Sequence, residues 1–259
     1  MSKARDSIED LKTIDANLAA KAPLASPVFT GNVGIGVTPE AWQASRSVLS
    51  LGGNSNLYSL TAQGASGYFG VSANGYHDGS WKYISTDQAA RYEQSGGNHT
   101  FTVAPSGTAD AAISWNTAMT INNAGIVTKP FQPAFSAYLG SDMNIAASTT
   151  TIIPLNQEEF DVGNNFNTSN NRFVAPIAGK YLFTAAIQYS GAAGTSHCNI
   201  YINGGGRHDG WIDFGDAKAA TQSRVFSLAA NDYVQLLAHI APNATISANR
   251  AKLTGFLIG

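Results

Sequence analysis

Phe173-Val174-Ala175-Pro176-Ile177-Ala178-Gly179-Lys180-Tyr181-Leu182-Phe183-Thr184-Ala185-Ala186-Ile187-Gln188-Tyr189 is the stretch on which the fold of this 259-residue chain turns. From Tyr181 to Tyr189 every odd position is apolar, with Thr184 and Gln188 among the residues opposite. Successive side chains of a strand point to opposite faces, so this spacing predicts a strand with one buried face. The same rhythm returns in Cys198, Ile200 and Ile202, set against Asn199, Tyr201 and Asn203. It returns again in Val234, Leu236, Ala238 and Ile240, set against Gln235 and His239. Turn residues break such runs every ~8–12 residues and no helical stretch intervenes, which predicts an antiparallel sandwich over residues 134–259.

The composition around this segment agrees. Charged residues make up 12% of the chain, about half of the ~25% usual for soluble domains. The 26 glycines, with many Ala, Ser, Thr and Asn, suit short strands joined by tight turns, because Gly and Asn accept positive φ. A net charge of −2 leaves no electrostatic footprint for nucleic acid or an anionic membrane. No apolar run reaches the ~20 residues that would cross a bilayer, so no membrane insertion is expected. The single cysteine, Cys198, rules out an internal disulfide framework and reads as a buried structural thiol. Met1–Leu11 carries charges and no apolar run, so no signal peptide is expected, and the sequons at Asn98, Asn167 and Asn243 then have no meaning.

Charge divides the rest of the chain. Eight of the first 21 residues are Lys, Arg, Asp or Glu, against nine in the next 112. Ile8, Leu11 and Leu18 fall on one helical stripe behind a candidate cap at Ser7, predicting a short packing helix within an attachment segment, residues 1–27. Residues 28–133 are punctuated by Asn74-Gly75, Asp78-Gly79, Gly96-Gly97-Asn98 and Asn122-Asn123, with short alternating runs between them. Asn32-Val33-Gly34-Ile35 followed by Val37-Thr38 is echoed by Asn123-Ala124-Gly125-Ile126 followed by Val127-Thr128. Apolar residues here are too sparse for one chain to build a sizeable core, so a β-rich middle region shared among three copies is expected.

From residue 134 onward the motifs carry a resemblance. Phe135-Ser136-Ala137-Tyr138-Leu139 opens the segment, and Phe160-Asp161-x-Gly163-Asn164-x-Phe166-Asn167 follows. Then come the Phe173–Phe183 motif, Asn203-Gly204, Leu228-x-x-Asn231-Asp232-x-Val234-x-Leu236 and Thr254-Gly255-Phe256-Leu257-Ile258. In order and spacing this resembles the globular head shared by complement C1q and the tumour necrosis factor superfamily. Two departures stand out: Asn170-Asn171-Arg172 replaces the usual Thr-Gly, and Asn231-Asp232 replaces the usual Gly-Asp. The resemblance implies a jelly roll packed as a three-fold homotrimer. Phe135, Tyr138, Phe173, Tyr181, Phe183, Tyr233, Phe256 and Leu257 would then lie in the core or at the subunit contact.

Ala22-Pro23-Leu24-Ala25-Ser26-Pro27-Val28-Phe29-Thr30-Gly31 and Met119–Val127 resemble short segments of bacteriophage tail fibres. With a trimeric head they imply a virion fibre, assembled in the host cytoplasm. Its N-terminus would hold a tail or baseplate protein, and its head a glycan or protein on the host cell. A bacterial secreted or surface adhesion protein with the same C1q-like head, or a polysaccharide-degrading tailspike, remains the alternative. No catalytic pattern supports an enzyme. Gly-x-Ser-x-Gly is absent, and Gly31, Gly34 and Gly36 are spaced wrongly for a dinucleotide loop. The five histidines lack metal-ligand spacing, and Asp209, Asp213 and Asp216 fit no calcium loop, so no cofactor or metal is expected. Glu158, Glu159 and Asp161 read as strand and turn residues rather than a glycosidase pair. The candidate binding residues are Arg207, His208 and Trp211 on the glycine-rich loop, with Tyr189 and His197 bounding a second loop.

Overall fold

The structure is a computed structural model that describes residues 29–62, 67–192, 194, 196–205, the backbone of 212–213, and 217–259. The predicted helix with Ile8, Leu11 and Leu18 lies outside these residues. Every regular element among the described residues is a strand. The chain forms two compact units, divided between Lys129 and Pro130.

The first unit begins with β1 (Val33–Ile35), β2 (Arg46–Leu51), β3 (Ser55–Leu60), β4 (Tyr68–Ala73) and β5 (Gly75–His77). It continues with β6 (Trp81–Tyr83), β7 (Asp87–Ser95), β8 (Asn98–Gly107), β9 (Asn116–Ile121) and β10 (Val127–Thr128). Eight of them form one sheet in the order β1-β2-β3-β4-β7-β8-β9-β10, while β5 and β6 make a separate hairpin. The turns predicted from Asn and Gly carry the expected backbone: Asn74, Gly96 and Gly97 have φ of 57, 57 and 78°. The two halves of the sequence echo contribute to the opposite edges of the sheet, Val33–Ile35 of the first as β1 and Val127–Thr128 of the second as β10, so the equivalent residues do not take the same conformation.

One face of this sheet is covered from within the chain. Trp42, Val48, Tyr58 and Tyr76 are buried together, with Tyr68, Trp81 and Ile84 packed against them. Three of the sheet's charged side chains, Arg46, Arg91 and Glu93, lie in the same layer. The Arg46 guanidinium stands 5.0 Å from the Tyr68 ring and 5.5 Å from Trp81. The Arg91 guanidinium stands 4.8 Å from Trp81 and 4.7 Å from Trp115, and its Nη1 meets Glu93 Oε1 at 3.2 Å. Tyr58 donates its hydroxyl to the same carboxylate oxygen at 3.0 Å, and Tyr68 donates to it as well. Cations over ring faces add up to ~2 kcal/mol each when water is excluded. The expectation that one chain lacks the residues for a core therefore holds for only one face of the sheet.

The second unit holds the other fourteen strands. They begin with β11 (Ala134–Tyr138), β12 (Met143–Ile145), β13 (Thr149–Ile152), β14 (Gln157–Val162) and β15 (Phe166–Asn167). Next are β16 (Arg172–Val174), β17 (Gly179–Gln188), β18 (Ser190–Gly191), β19 (Ser196–Ile202) and β20 (Ile212–Asp213). The last are β21 (Ala219–Leu228), β22 (Tyr233–Ile240), β23 (Ala244–Ile246) and β24 (Ala251–Leu257). One sheet runs β14-β11-β24-β17-β21, and a second runs β15-β16-β22-β19-β20 with β13 also on β22. A short third sheet, β12-β23-β18, is separate from both.

Between the two main sheets lies the predicted apolar set. Tyr181, Phe183, Ala185, Ile187, Cys198, Ile200, Val234, Leu236, Ala238 and Ile240 are all buried. Phe135 stacks on Phe166 and Phe173 with ring centroids 5.1 and 4.7 Å apart, and Phe183 meets Phe173 at 5.7 Å. Both departures from the family pattern serve as turns, since Asn171 and Asn231 have φ of 58 and 72°. Two residues read as polar-face positions are buried instead. Gln235 donates to the Asn170 carbonyl at 3.0 Å, whereas Asn199 is enclosed with no partner for either amide atom.

Two predictions follow from this packing. A Cβ on Gly255 would sit 2.6 Å from Phe183 Cδ1 and 2.7 Å from Phe135 Cε1. Gly255→Ala is therefore expected to destabilise the jelly roll by ~1–3 kcal/mol in urea unfolding. In the first unit, burial foremost, then Glu93, holds the Tyr58 and Tyr68 phenols above their ordinary value, and burial with the Asp110 bond raises Tyr76 to about 12. The fold thus favours the neutral phenols. This stability is complete below the unfolded tyrosine value of ~10 and is lost as pH rises through the folded values. Alkaline titration should show late tyrosinate formation coinciding with loss of structure, and Tyr58→Phe should weaken the coupling.

Candidate functional site

The five-stranded sheet of the second unit turns its other face away from the core, and the register orders that face into rows. Val162, Ala134, Phe256, Leu182 and Val225 stand side by side on its five strands. Phe256 is 42% and Val225 54% exposed. The adjacent row starts at Phe160 and is hydroxylic on the other four strands: Ser136 Oγ lies 3.2 Å from Thr254 Oγ1, and Thr184 Oγ1 lies 2.9 Å from Ser223 Oγ. Ser136 also donates to Glu159 Oε2 at 2.8 Å, and Lys252 pairs with the other oxygen of that carboxylate. These two contacts, Lys252 first, hold the Glu159 carboxyl below its ordinary value. Asp161 accepts the Phe166 N–H at 2.8 Å. Both acids thus act as strand and turn fixtures.

The residues grouped as core or subunit contact separate by strand parity. Phe135, Phe173, Tyr181, Phe183 and Leu257 are inside, whereas Phe256 and, by the same parity, Tyr138 opposite Lys252 are on the outer face. Tyr138 and Tyr233 are half-buried. The Arg172 guanidinium covers Tyr233 at 3.9 Å.

At one end of this unit the short sheet β12-β23-β18 floors an open groove of about 580 Å³. Asn144, Ser190, Asn243 and Thr245 line it, with Ile145 and Ala244 below. Thr245 Oγ1 donates to Asn144 Oδ1 at 2.7 Å, Ser190 Oγ to the Thr245 carbonyl at 3.2 Å, and Asn243 Oδ1 accepts the Ala147 N–H at 2.8 Å. Beside it, Gln188, Ser190, Ser247 and Arg250 frame a smaller hollow of about 160 Å³, where Arg250 Nη1 donates to Gln188 Oε1 at 2.9 Å. Amides, hydroxyls and one guanidinium, open to water, offer directional hydrogen bonds and no nucleophile–base pair.

Register places this groove far from where the chain enters the unit. Pro133 accepts from the Leu257 N–H, and Gly259 from that of Lys180, so entry, C-terminus and the start of β17 share one end. At the other end of β17, Gln188 N–H bonds the Arg250 carbonyl. The ten residues of β17 separate the two ends by ~30 Å.

Of the predicted binding residues, Arg207, His208 and Trp211 lie outside the described residues. Tyr189 is buried, 3% exposed, so its ring is a wall and not a contact. His197 is half-buried with its ring 5.8 Å from that of His239, whose Nδ1 lies 3.0 Å from Thr150 Oγ1. The groove residues were not among the candidates. They come from three distant segments, and only the nearby Gly- and Ala-rich stretch after Tyr189 pointed towards them. Among the described residues no three His, Cys, Asp or Glu side chains gather to hold a metal ion.

Residues 134–258 match the family model described as C1q domain, so the second unit carries a C1q domain. Among solved structures the chain is similar to the globular domain of zebrafish complement 1qA protein, at 17% identity and a TM-score of 0.37, over 49% of this chain and 98% of that one. It is also similar to a crystal structure of murine APRIL, at 15% identity and a TM-score of 0.39, over 49% of this chain and 99% of that one. No curated protein sequence matches the chain.

Cys198 is fully buried in this domain, and Gln222 Nε2 approaches its Sγ at 3.7 Å. Burial pushes the thiol up to about 12. Folded protein at pH 8 is therefore expected to resist iodoacetamide, with alkylation appearing only as denaturant opens the core; rapid labelling in buffer would contradict the burial.

Proposed function

We propose that the chain is a homotrimeric receptor-binding fibre of a bacteriophage tail whose C1q domain binds a host-surface glycan and catalyses nothing. The observation that carries this reading is the placement of the hydroxyl- and amide-lined groove at the end of the domain remote from chain entry. A ligand there meets the exposed end of a particle-bound fibre. Planar amides, hydroxyls and Arg250 match the alternating donors and acceptors of a sugar ring.

The trimer rests on the C1q domain and on the row Val162–Ala134–Phe256–Leu182–Val225, an apolar stripe that an isolated copy leaves in water. The tail-fibre assignment rests on the two fibre-like segments. Part of the second has a clear physical form. Asn122 Oδ1 accepts the N–H groups of Ala124 and Ile126, both at 3.0 Å, and Gly125 completes the turn with φ of 80°. The N-terminal segment, in this reading, holds a tail or baseplate protein.

Three shallow sites on one rigid trimer bind a repetitive surface ~10²–10⁴ times more tightly than one site does. Fluorescently labelled protein should therefore bind selected bacterial strains, and periodate oxidation of their glycans should abolish that binding. Arg250→Ala and Asn144→Ala should each lower it by at least ~10-fold while the trimer persists in light scattering. Periodate-resistant binding, or binding indifferent to both substitutions, would overturn the glycan assignment at this groove.

A further inference from the structure

We infer that the uncovered face of the eight-stranded sheet in the first unit is an assembly face on which copies of this chain pack against one another. Register lines up Leu49, Leu57, Val71, Tyr92, Phe101 and Met119 on six consecutive strands, with Val33 of β1 continuing the row. The next row holds Leu51, Ala73, Ala90 and Val103. Phe69, Val71, Phe101 and Val103 are 37–47% exposed. No Lys, Arg, Asp or Glu stands in either row. Of the sheet's charges, Arg46, Arg91 and Glu93 are on the opposite face beneath the aromatic rings, and Asp87, paired with Gly107 at the end of β7, stands outside both rows. This polarity is the reverse of a solvent-facing sheet, which turns its polar side to water.

Three considerations identify the occupant as further copies of the chain. The first is area. The six inner strands, ~4.8 Å apart and six to ten residues long, span roughly 700 Å², close to the ~800 Å² per partner of a standard stable interface. The second is chemistry. The two rows are charge-free and mainly apolar and so complement a second copy of themselves, while the Tyr92 hydroxyl at the margin is already engaged with His99 and Gln94. The lack of charge also disfavours the rival cover, Met1–Val28, which carries eight charges in its first 21 residues. The third is geometry. The edge strands β1 and β10 have three and two residues, too short to template edge-to-edge pairing, so association falls to the face. This extends the proposed trimer to the first unit but stands on separate residues.

The test adds one thiol at the centre of the face in the full-length chain, whose own Cys198 is buried. Val71→Cys treated with a short bismaleimide should give chain–chain adducts, because packed sheets approach to ~10 Å. Ser80→Cys, on the exposed hairpin turn, serves as the control and should give few. Equal yields from the two positions would overturn the inference. So would a Val71→Cys thiol that is shielded but uncrosslinked, and becomes reactive when Met1–Val28 is deleted. As a second variant, Val71→Lys with Phe101→Lys should lower Tm by roughly 5–10 °C if the face is covered; an unchanged Tm would overturn it. Failure of cell binding leaves these readouts unmoved, so the two proposals fail separately.

Discussion

A pleated strand divides its side chains between two faces, and a single chain can cover only as many faces as it has layers to place on them. In the C1q domain the two main sheets cover each other's inner faces with the Phe135, Phe166, Phe173 and Phe183 cluster. In the first unit the cover is a hairpin and a loop, led by Tyr76, Trp81 and Trp42. Each unit is left with one sheet face bearing an apolar row in strict register. The low charge of the chain acquires a structural meaning here. What little charge the first unit has is partly spent beneath aromatic rings, as the Arg91–Glu93 pair shows.

The jelly roll was legible because its strands bury one face each. The alternations at Tyr181–Tyr189 and Val234–Ile240 report that directly, and the sheet they predicted is present. Asn199 and Gln235 broke the pattern because neighbouring elements cover them, a contribution from residues far away in sequence. Phe256 was grouped with Phe135 and Phe183 by motif, although its parity relative to Gly255 already sends it outward.

The first unit was less readable for a related reason. Leu49, Leu57, Val71 and Phe101 look scattered along the chain and become a row only once register is known. The groove residues Asn144, Ser190 and Asn243 are ordinary turn-prone residues, individually indistinguishable from dozens of others. Their significance comes from convergence on one short sheet, which no local spacing encodes.

The two ends of the C1q domain also differ in how they would carry a load. Chain entry and C-terminus are joined through the Leu257–Pro133 hydrogen bond, and the groove lies a strand's length away. Tension between them runs along β11, β17 and β24. These strands are antiparallel neighbours in the order β11-β24-β17, with their hydrogen bonds across the line of pull. Force in that direction shears the ladders, straining many bonds together instead of opening them one by one. The domain is thus built stiff along the axis in which a tethered body would be pulled.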